Sequence, residues 1–407
     1  MRKFILILLI FHSFSSGFAQ NETFTNMLSE INGDSIKRTV MDMQAFPSRF
    51  CLHNNKKVAE YLVERLQQYG IDNATIDSFY VDDSTKITGK FEAWMYNVKG
   101  SISGNEHPDS TVIIGAHLDA IVYDTINFLY NITTGADDNA SGVATMIEMA
   151  RIFHKYNIKP RLSVDFMGFD AEELGLHGSR YDAEKRHQQQ EKIAVMLNND
   201  MVGHQPEEQD WMVFISVYFN SSDIMQTTEA ICHKFTRLYA FIPGSFGNKY
   251  FNRSDSYSYF SKGYKVNYLS EYRFSPYYHS MNDIYQNCNF EYMKEIAKIN
   301  FGLLYHYAID SLEVNNISEA SPILSGANIY PNPAADNSRL QFVLLQASTV
   351  DIRITDLSGK TIIKITEKHY NEGRNTVELN AQALSPGIYF CVIGTPSGNK
   401  TLKWIIQ

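Results

Sequence analysis

A strand–helix–strand pattern between residues 111 and 167 limits how this chain can fold more than any other feature. Thr111-Val-Ile-Ile-Gly115 and Leu162-Ser-Val-Asp-Phe-Met167 are short β-branched and apolar runs, the composition of strands covered on both faces. Between them Val143, Met146, Ile147, Ala150 and Phe153 recur at the spacing of one helix face. Strands alternating with a helix in this way belong to a parallel sheet, so the pattern predicts an α/β unit with helices covering its sheet. Upstream, Val58, Tyr61, Leu62 and Leu66 mark a further amphipathic helix, and Gly70 is its stop signal. Ligands collect at the carboxyl ends of such strands. His117 directly follows the first strand, and Asp170 to Glu173 directly follow the second.

The pattern changes after about residue 313. Residues 315–327 are rich in Ser, Asn and small side chains and read as a linker. Beyond them Val350, Ile352 and Ile354 alternate with Asp351, Arg353 and Thr355, and Leu357-Ser-Gly-Lys360 reads as a turn leading to Ile362 and Ile363. Residues 328–407 are therefore expected to form a small all-β sandwich. With 407 residues the chain exceeds what one core usually supports, consistent with a large and a small domain.

The amino terminus is an address rather than structure. Arg2 and Lys3 precede the apolar run Phe4 to Phe11, and Gly17-Phe18-Ala19 offers small residues to a signal peptidase. Residues 1–19 are read as a signal peptide, leaving a larger domain over 20–314. The run is shorter than the roughly 20 apolar residues a bilayer crossing needs, and no later segment supplies a span. A net charge of −9, with no basic run, argues against a nucleic-acid partner. Cys51, Cys232, Cys288 and Cys391 form no Cys-x-x-Cys pair, so buried free thiols are expected ahead of a Cys51–Cys288 disulfide. Asn139-Ala140-Ser141 matches a glycosylation triplet, but its neighbours point to another role.

Those neighbours are metal donors. His117 in Gly-Ala-His-Leu-Asp, Asp137 in Gly-Ala-Asp-Asp-Asn, Glu173 in Asp-Ala-Glu-Glu-Leu, Asp200 in Asn-Asn-Asp-Met and His279 in Tyr-Tyr-His-Ser offer imidazole nitrogen and carboxylate oxygen, the donors zinc prefers. Two ions about 3.5–4 Å apart share a bridging carboxylate and a water, so five protein donors suffice for two zinc ions. The expected division has Asp137 as the bridge, His117 and Asp200 on one ion, and Glu173 and His279 on the other. Cobalt or manganese can occupy similar donor sets. Asp119, two residues after His117, is placed to orient its imidazole. Glu172 is the expected general base, taking a proton from the attacking water and returning it to the leaving amine. His177 and His204 also stand four residues after a donor, but the set is complete without them.

The motifs His117-Leu-Asp119, Gly135-Ala-Asp-Asp-Asn-Ala-Ser-Gly142, Asp170-Ala-Glu-Glu-Leu-Gly-Leu-His-Gly-Ser179, Asp200-Met-Val-Gly203 and His279-Ser-Met-Asn-Asp283 resemble those of the zinc peptidase family that contains bacterial leucyl aminopeptidase and glutamate carboxypeptidase II. The resemblance spans roughly residues 35 to 312. It implies an α/β/α globule around a mixed, mainly parallel sheet, and exopeptidase activity on peptide substrates, most often release of an N-terminal residue. Many members carry Ser-Asp-His before the last donor, whereas this chain has Ser254-Asp255-Ser256. Residues 205 to 278 otherwise match weakly. Tyr250, Phe251, Tyr277 and Tyr278 are candidates there for a substrate pocket, and Lys249, Arg253, Lys262, Lys265 and Arg273 for a carboxylate-binding one.

A second resemblance covers the carboxyl terminus. Ile329-Tyr-Pro-Asn-Pro333, Val350 to Lys360, Gly373-Arg-Asn375, Leu384-Ser-Pro-Gly-Ile-Tyr-Phe390 and Lys403-Trp-Ile-Ile are similar to the sorting domain of the type nine secretion system of Bacteroidetes. It implies export through the inner and then the outer membrane by the secretion machinery, to the cell surface or the medium. The main expectation is thus a secreted aminopeptidase. Carboxypeptidase activity stays open, as does a surface-binding protein with an inactive peptidase fold. A glutaminyl cyclase of the same fold uses one zinc and lacks the first histidine donor, so His117-Leu-Asp119 weighs against it.

Overall fold

A computed structural model of the chain describes residues 23–53, 55–123, 132–206, 211–243, 250–312, 324–344, 347–356, 359–382, 384–396 and 398–407. The signal-peptide assignment, Lys249 and most of the 315–327 segment lie outside them. The chain forms two compact units, residues 1–206 with 252–312, and residues 207–251 with 313–407.

In the first unit, helix α1 (Gly33–Gln44) starts where the Asn32 side chain accepts from the backbone N–H groups of Asp34 and Ser35 at 2.7 and 3.2 Å. It buries Ile36, Thr39, Val40 and Met43, one stripe at helical spacing. Helix α2 (Asn55–Gln68) buries Val58, Ala59, Leu62 and Leu66. The chain turns out of it through Gly70, whose φ of +73° is in the region that favours glycine. Strands β1 (Thr75–Thr85) and β2 (Gly89–Ile102) form a long antiparallel hairpin. Then come β3 (His107–His117), α3 (Gly142–Lys155), β4 (Leu162–Phe169), α4 (His177–Gln188) and β5 (Lys192–Asn199).

The sheet order is β1-β2-β4-β3-β5 followed by the strand Val266–Glu271. The pairs β3–β4, β3–β5 and β5 with Val266–Glu271 are parallel, and β2–β4 is antiparallel. The β3–α3–β4 unit is parallel as its pattern predicts, and the sheet as a whole is mixed and mainly parallel, as the family resemblance implies. Helix α3 is apolar nearly all round and accordingly buried from Gly142 to Ala150. The hairpin has its own small core, in which Phe79, Val81, Phe91 and Met95 pack with Phe50, Cys51, Ile121, Ala171 and Leu174. That cluster fastens the loops after β3 and β4 to the body of the unit.

The second unit contains two antiparallel sheets. One has the order Gly373–Asn380, Asn337–Leu344, Leu324–Tyr330; the other has Thr361–Tyr370, Ser348–Thr355, Gly387–Thr395, Gly398–Ile406. The period-two reading holds: Val350, Ile352 and Ile354 are buried with Cys391 and Trp404 in one core. Trp404 donates its indole N–H to Ser338 Oγ at 2.9 Å. The strand Leu324–Tyr330 starts inside the segment assigned to the linker. Helix Ser222–Phe235 and the parallel strands Met212–Ile215 and Tyr239–Phe241 complete the unit. Among the described residues no helix is long and apolar enough to cross a membrane. All four cysteines are free, so Cys51 and Cys288 are not joined.

Candidate metal centre

Because β3 lies between β4 and β5 and all three run parallel, their carboxyl ends bring His117, the Asp170–Glu173 loop and Asp200 together. Side chains behind the strands fix these loops. Asp170 accepts from Tyr96 N at 2.8 Å, from Ala171 N at 2.7 Å and from Asn55 Nδ2, and its own N–H donates to Asn97 Oδ1 at 2.9 Å. Asp119 accepts from the N–H groups of Glu172 and Glu173 at 3.1 and 3.2 Å. Asp119 therefore binds the loop after β3 to the loop after β4.

Asp119 also orients His117. His117 Nδ1 lies 3.2 Å from the Asp119 carbonyl and 3.4 Å from its Oδ1. An Nδ1 proton directed there leaves Nε2 free for a cation. That nitrogen lies 3.1 Å from Asp138 Oδ1 and 3.3 Å from Asp200 Oδ1. The other Asp138 oxygen is 3.1 Å from His279 Nε2, which is 2.9 Å from Glu173 Oε2. One carboxylate thus faces both imidazoles, with Asp200 beside the first and Glu173 beside the second. Donor atoms of His117, Asp138 and Glu173 all lie within 4.8 Å of one another.

The carboxylate between the histidines belongs to Asp138, and this corrects the expectation for Asp137. The turn Ala136–Ser141 is irregular, and Asp138 has extended angles (φ −105°, ψ 92°) inside it. Asp283 accepts from the N–H groups of both residues, at 2.8 Å from Asp137 and 3.0 Å from Asp138. With the backbone held there, the two side chains diverge. Asp137 Oδ1 accepts from Gly203 N at 2.8 Å, and its carboxyl group lies against Glu271. Burial pushes Asp137 up to about 7 and Glu271 well above its ordinary value.

The donor set fits a divalent cation. Glu173 Oε1 and both nitrogens of His279 are buried without a hydrogen-bond partner, although His279 Nε2 is close to two carboxylate oxygens. Lone pairs that converge without hydrogen-bond alignment suit a cation between them. The electrostatics agree. Burial pulls His279 down, but Glu173 and Asp138 raise it to about 10; His117 is likewise held well above its usual value by Asp200 and Glu172. Burial pushes Asp138 up, yet the two imidazoles hold it below the usual carboxylate range. Positive charge is demanded at this point, and a metal can supply it in place of protons. Three positive-φ non-glycine residues, Ala171 (56°), Met201 (53°) and His279 (51°), are at or within two positions of a donor. Left-handed backbone at such sites is held by its surroundings.

Burial raises Glu172 well above the usual range, with Glu173 and Asp200 adding and His117 opposing. Asp255, in the Ser-Asp-Ser stretch, is fully buried and pushed by burial to about 7 against the pull of His117. His177 Nε2 faces Asp83 at 3.4 Å, and the His204 ring packs edge-on to Tyr277, so neither joins the donors. Asn139, in the glycosylation triplet, is fully buried, and its side chain joins Asn199 O and Gly142 N. Tyr278 stacks on His279 with centroids 3.6 Å apart, Tyr123 lies 5.0 Å from His279, and Phe274 lies 4.8 Å from Tyr278. Tyr250 and Phe251 belong to the second unit. Lys262 pairs with Glu184, whereas Arg253, Lys265 and Arg273 are exposed.

Asp283 and Arg49 had no role assigned from sequence. Asp283 stands in the last motif, but its grip on residues 137 and 138 is a contact across 146 and 145 positions. Arg49 precedes every motif.

Imidazole and carboxylate donors at the carboxyl ends of a mainly parallel α/β sheet define a metal-dependent hydrolase. The chain belongs to Peptidase family M28, whose profile matches residues 97–304, and residues 328–407 match the secretion system C-terminal sorting domain. A probable zinc metalloprotease of Pyrenophora teres f. teres is 30% identical over 202 residues, 46% of this chain and 42% of the relative. The chain thus spans less than half of that relative's length. A probable leucine aminopeptidase of Trichophyton verrucosum is 26% identical over 302 residues, covering 72% of this chain and 77% of the relative. The Legionella pneumophila LapA aminopeptidase shares the fold, with a TM-score of 0.59 at 22% identity over 72% of this chain and 75% of that one.

Proposed function

We propose that this protein is an exported aminopeptidase that works with two zinc ions. The observation that carries the reading is the Asp138 carboxylate, 3.1 Å from each of two imidazoles that have separate carboxylate neighbours. His117 and Asp200 would hold one ion, His279 and Glu173 the other, and Asp138 both. Bound zinc supplies Lewis-acid polarisation of the scissile carbonyl and lowers the pKa of water.

The chain's own groups do the rest. Glu172, adjacent in the chain to the donor Glu173, would take a proton from the attacking water and return it to the leaving amine. Asp119 keeps the Nδ1 proton of His117 in place and fixes the loop that carries Glu172. The concentration of carboxylates favours a cationic group such as a substrate α-ammonium over a terminal carboxylate. The sorting domain supports delivery of the enzyme to the cell surface or the medium.

The test offers the zinc-loaded full-length mature chain one peptide free at both ends, blocked at its N-terminus, or amidated at its C-terminus. Cleavage is expected to survive amidation, stop on N-terminal blocking and vanish with a chelator. The reverse blocking pattern would establish a carboxypeptidase. No cleavage of any form would leave a cyclase or a binding protein.

A further inference from the structure

Arg49 is a buried guanidinium beside the donor loops that, among the described residues, lies within ion-pair distance of no carboxylate. It is 0% exposed. Its Nη1 donates to the carbonyl of Leu118 at 3.2 Å, and its Nη2 donates to the carbonyls of Thr134, at 3.1 Å, and Gly135. Leu118 lies between His117 and Asp119, while Thr134 and Gly135 lead into Asp138. The side chain therefore spans two loops that are distant in sequence and carry different donors.

The backbone around Arg49 repeats the connection. Arg49 N donates to Thr133 Oγ1 at 2.7 Å, Arg49 O accepts from Ala120 N at 3.0 Å, and Pro47 O accepts from Thr133 N at 3.1 Å. Residue 135 is glycine for a matching reason: its φ is +63°, and a Cβ there would collide with the guanidinium and with the Asp138 carbonyl. Carbonyl partners alone are poor compensation for a buried cation. Asp283, Asp119, Asp138 and Glu173 supply the rest, and although burial pulls Arg49 down to about 10, it stays charged at neutral pH.

We propose that Arg49 is a positioning residue of the metal centre, clamping the 118–120 and 133–135 loops so that His117 and Asp138 stand where they can share one cation. Only a planar fork of donors reaches carbonyls on both loops at once; an ammonium cannot do so in fixed geometry. The proposal rests on reading the donor set as a metal site.

The experiment uses the full-length mature chain, freed of metal, as wild type, Arg49→Lys and Arg49→Met. Arg49→Lys retains the buried charge and tests the fork; Arg49→Met removes both. Each is titrated with cobalt(II), following the visible absorption bands, bound stoichiometry and competition with a chelator, with melting temperature measured in parallel. Wild type is expected to bind cobalt with a defined spectrum, and Arg49→Lys to bind about 10–100-fold more weakly with shifted bands, the scale seen when outer partners of metal ligands are removed. A folded Arg49→Lys variant with wild-type affinity and spectrum would overturn the proposal, even if it melted lower, because that pattern marks a purely structural residue. If wild type itself took up no cobalt, the metal-site reading would fail first.

Discussion

Exchanging the two neighbouring aspartates separates their roles. Asp138→Asn keeps shape but removes the charge that faces both histidines, whereas Asp137→Asn alters a carboxyl group held by Gly203 N and Glu271. At 3.1 Å and an effective dielectric near 20, the single charge of the Asp138 carboxylate attracts a unit positive charge by about 5 kcal/mol before desolvation. Breaking one partner of a buried ion pair costs about 3–5 kcal/mol net, or roughly 10²- to 10⁴-fold in affinity for a cation held there. Asp138→Asn is therefore expected to lose at least about 100-fold in zinc affinity at one of the two positions, with turnover falling at least as far. Asp137→Asn is expected to keep both ions, within a few-fold of wild-type affinity. Bound zinc by elemental analysis, affinity by chelator competition and peptide turnover read the outcome. Metal loss in Asp137→Asn with metal retention in Asp138→Asn would refute the assignment.

Three further outcomes are expected. Glu172→Gln should retain its metal and lose about 10²- to 10⁴-fold in turnover; near-normal turnover would remove Glu172 from the base role. In the second unit, Glu229 lies 2.5 Å from Lys400 and 3.7 Å from His233. Burial pushes Glu229 up, but His233 and Lys400 outweigh it and hold it at about 2, below its ordinary 4.5. A depressed carboxylate stabilises the fold above the unfolded value, and the effect is lost as pH falls from about 4.5 towards 2. Glu229→Gln should thus cost about 3 kcal/mol at pH 7 and almost nothing at pH 2, read by denaturant melts of full-length protein; an equal cost at both values would dismiss the ion pair. Deleting residues 328–407 should hold the chain in the periplasm, and its appearance in the medium on fractionation would contradict the sorting role.

Much of the fold was readable because α3, β3 and β4 carry their pattern in short windows. Apolar spacing encodes which face a helix or strand buries, and residues 350–354 show the same for period two. The β1–β2 hairpin was less legible: its outer face carries Asp82, Lys90 and Glu92, and its inner face packs on loop residues such as Cys51, Ile121 and Leu174. The donor motifs were legible as residue types beside strand ends, a local property.

What the sequence by itself determined was therefore the parallel α/β character of the sheet and the presence of histidine and carboxylate side chains beside its strand ends. Only the tertiary structure decided between Asp137 and Asp138. The two are adjacent in the chain, and one step along an irregular turn reverses a side chain's direction. The choice is made by Asp283 and Gly203, 145 and 66 positions away from their partners Asp138 and Asp137. The same holds for Arg49, an isolated arginine in sequence whose partners lie 69 to 86 positions downstream. Periodicity records which face of an element is buried, but the direction of a side chain in an irregular loop depends on hydrogen bonds that exist only once distant segments have met.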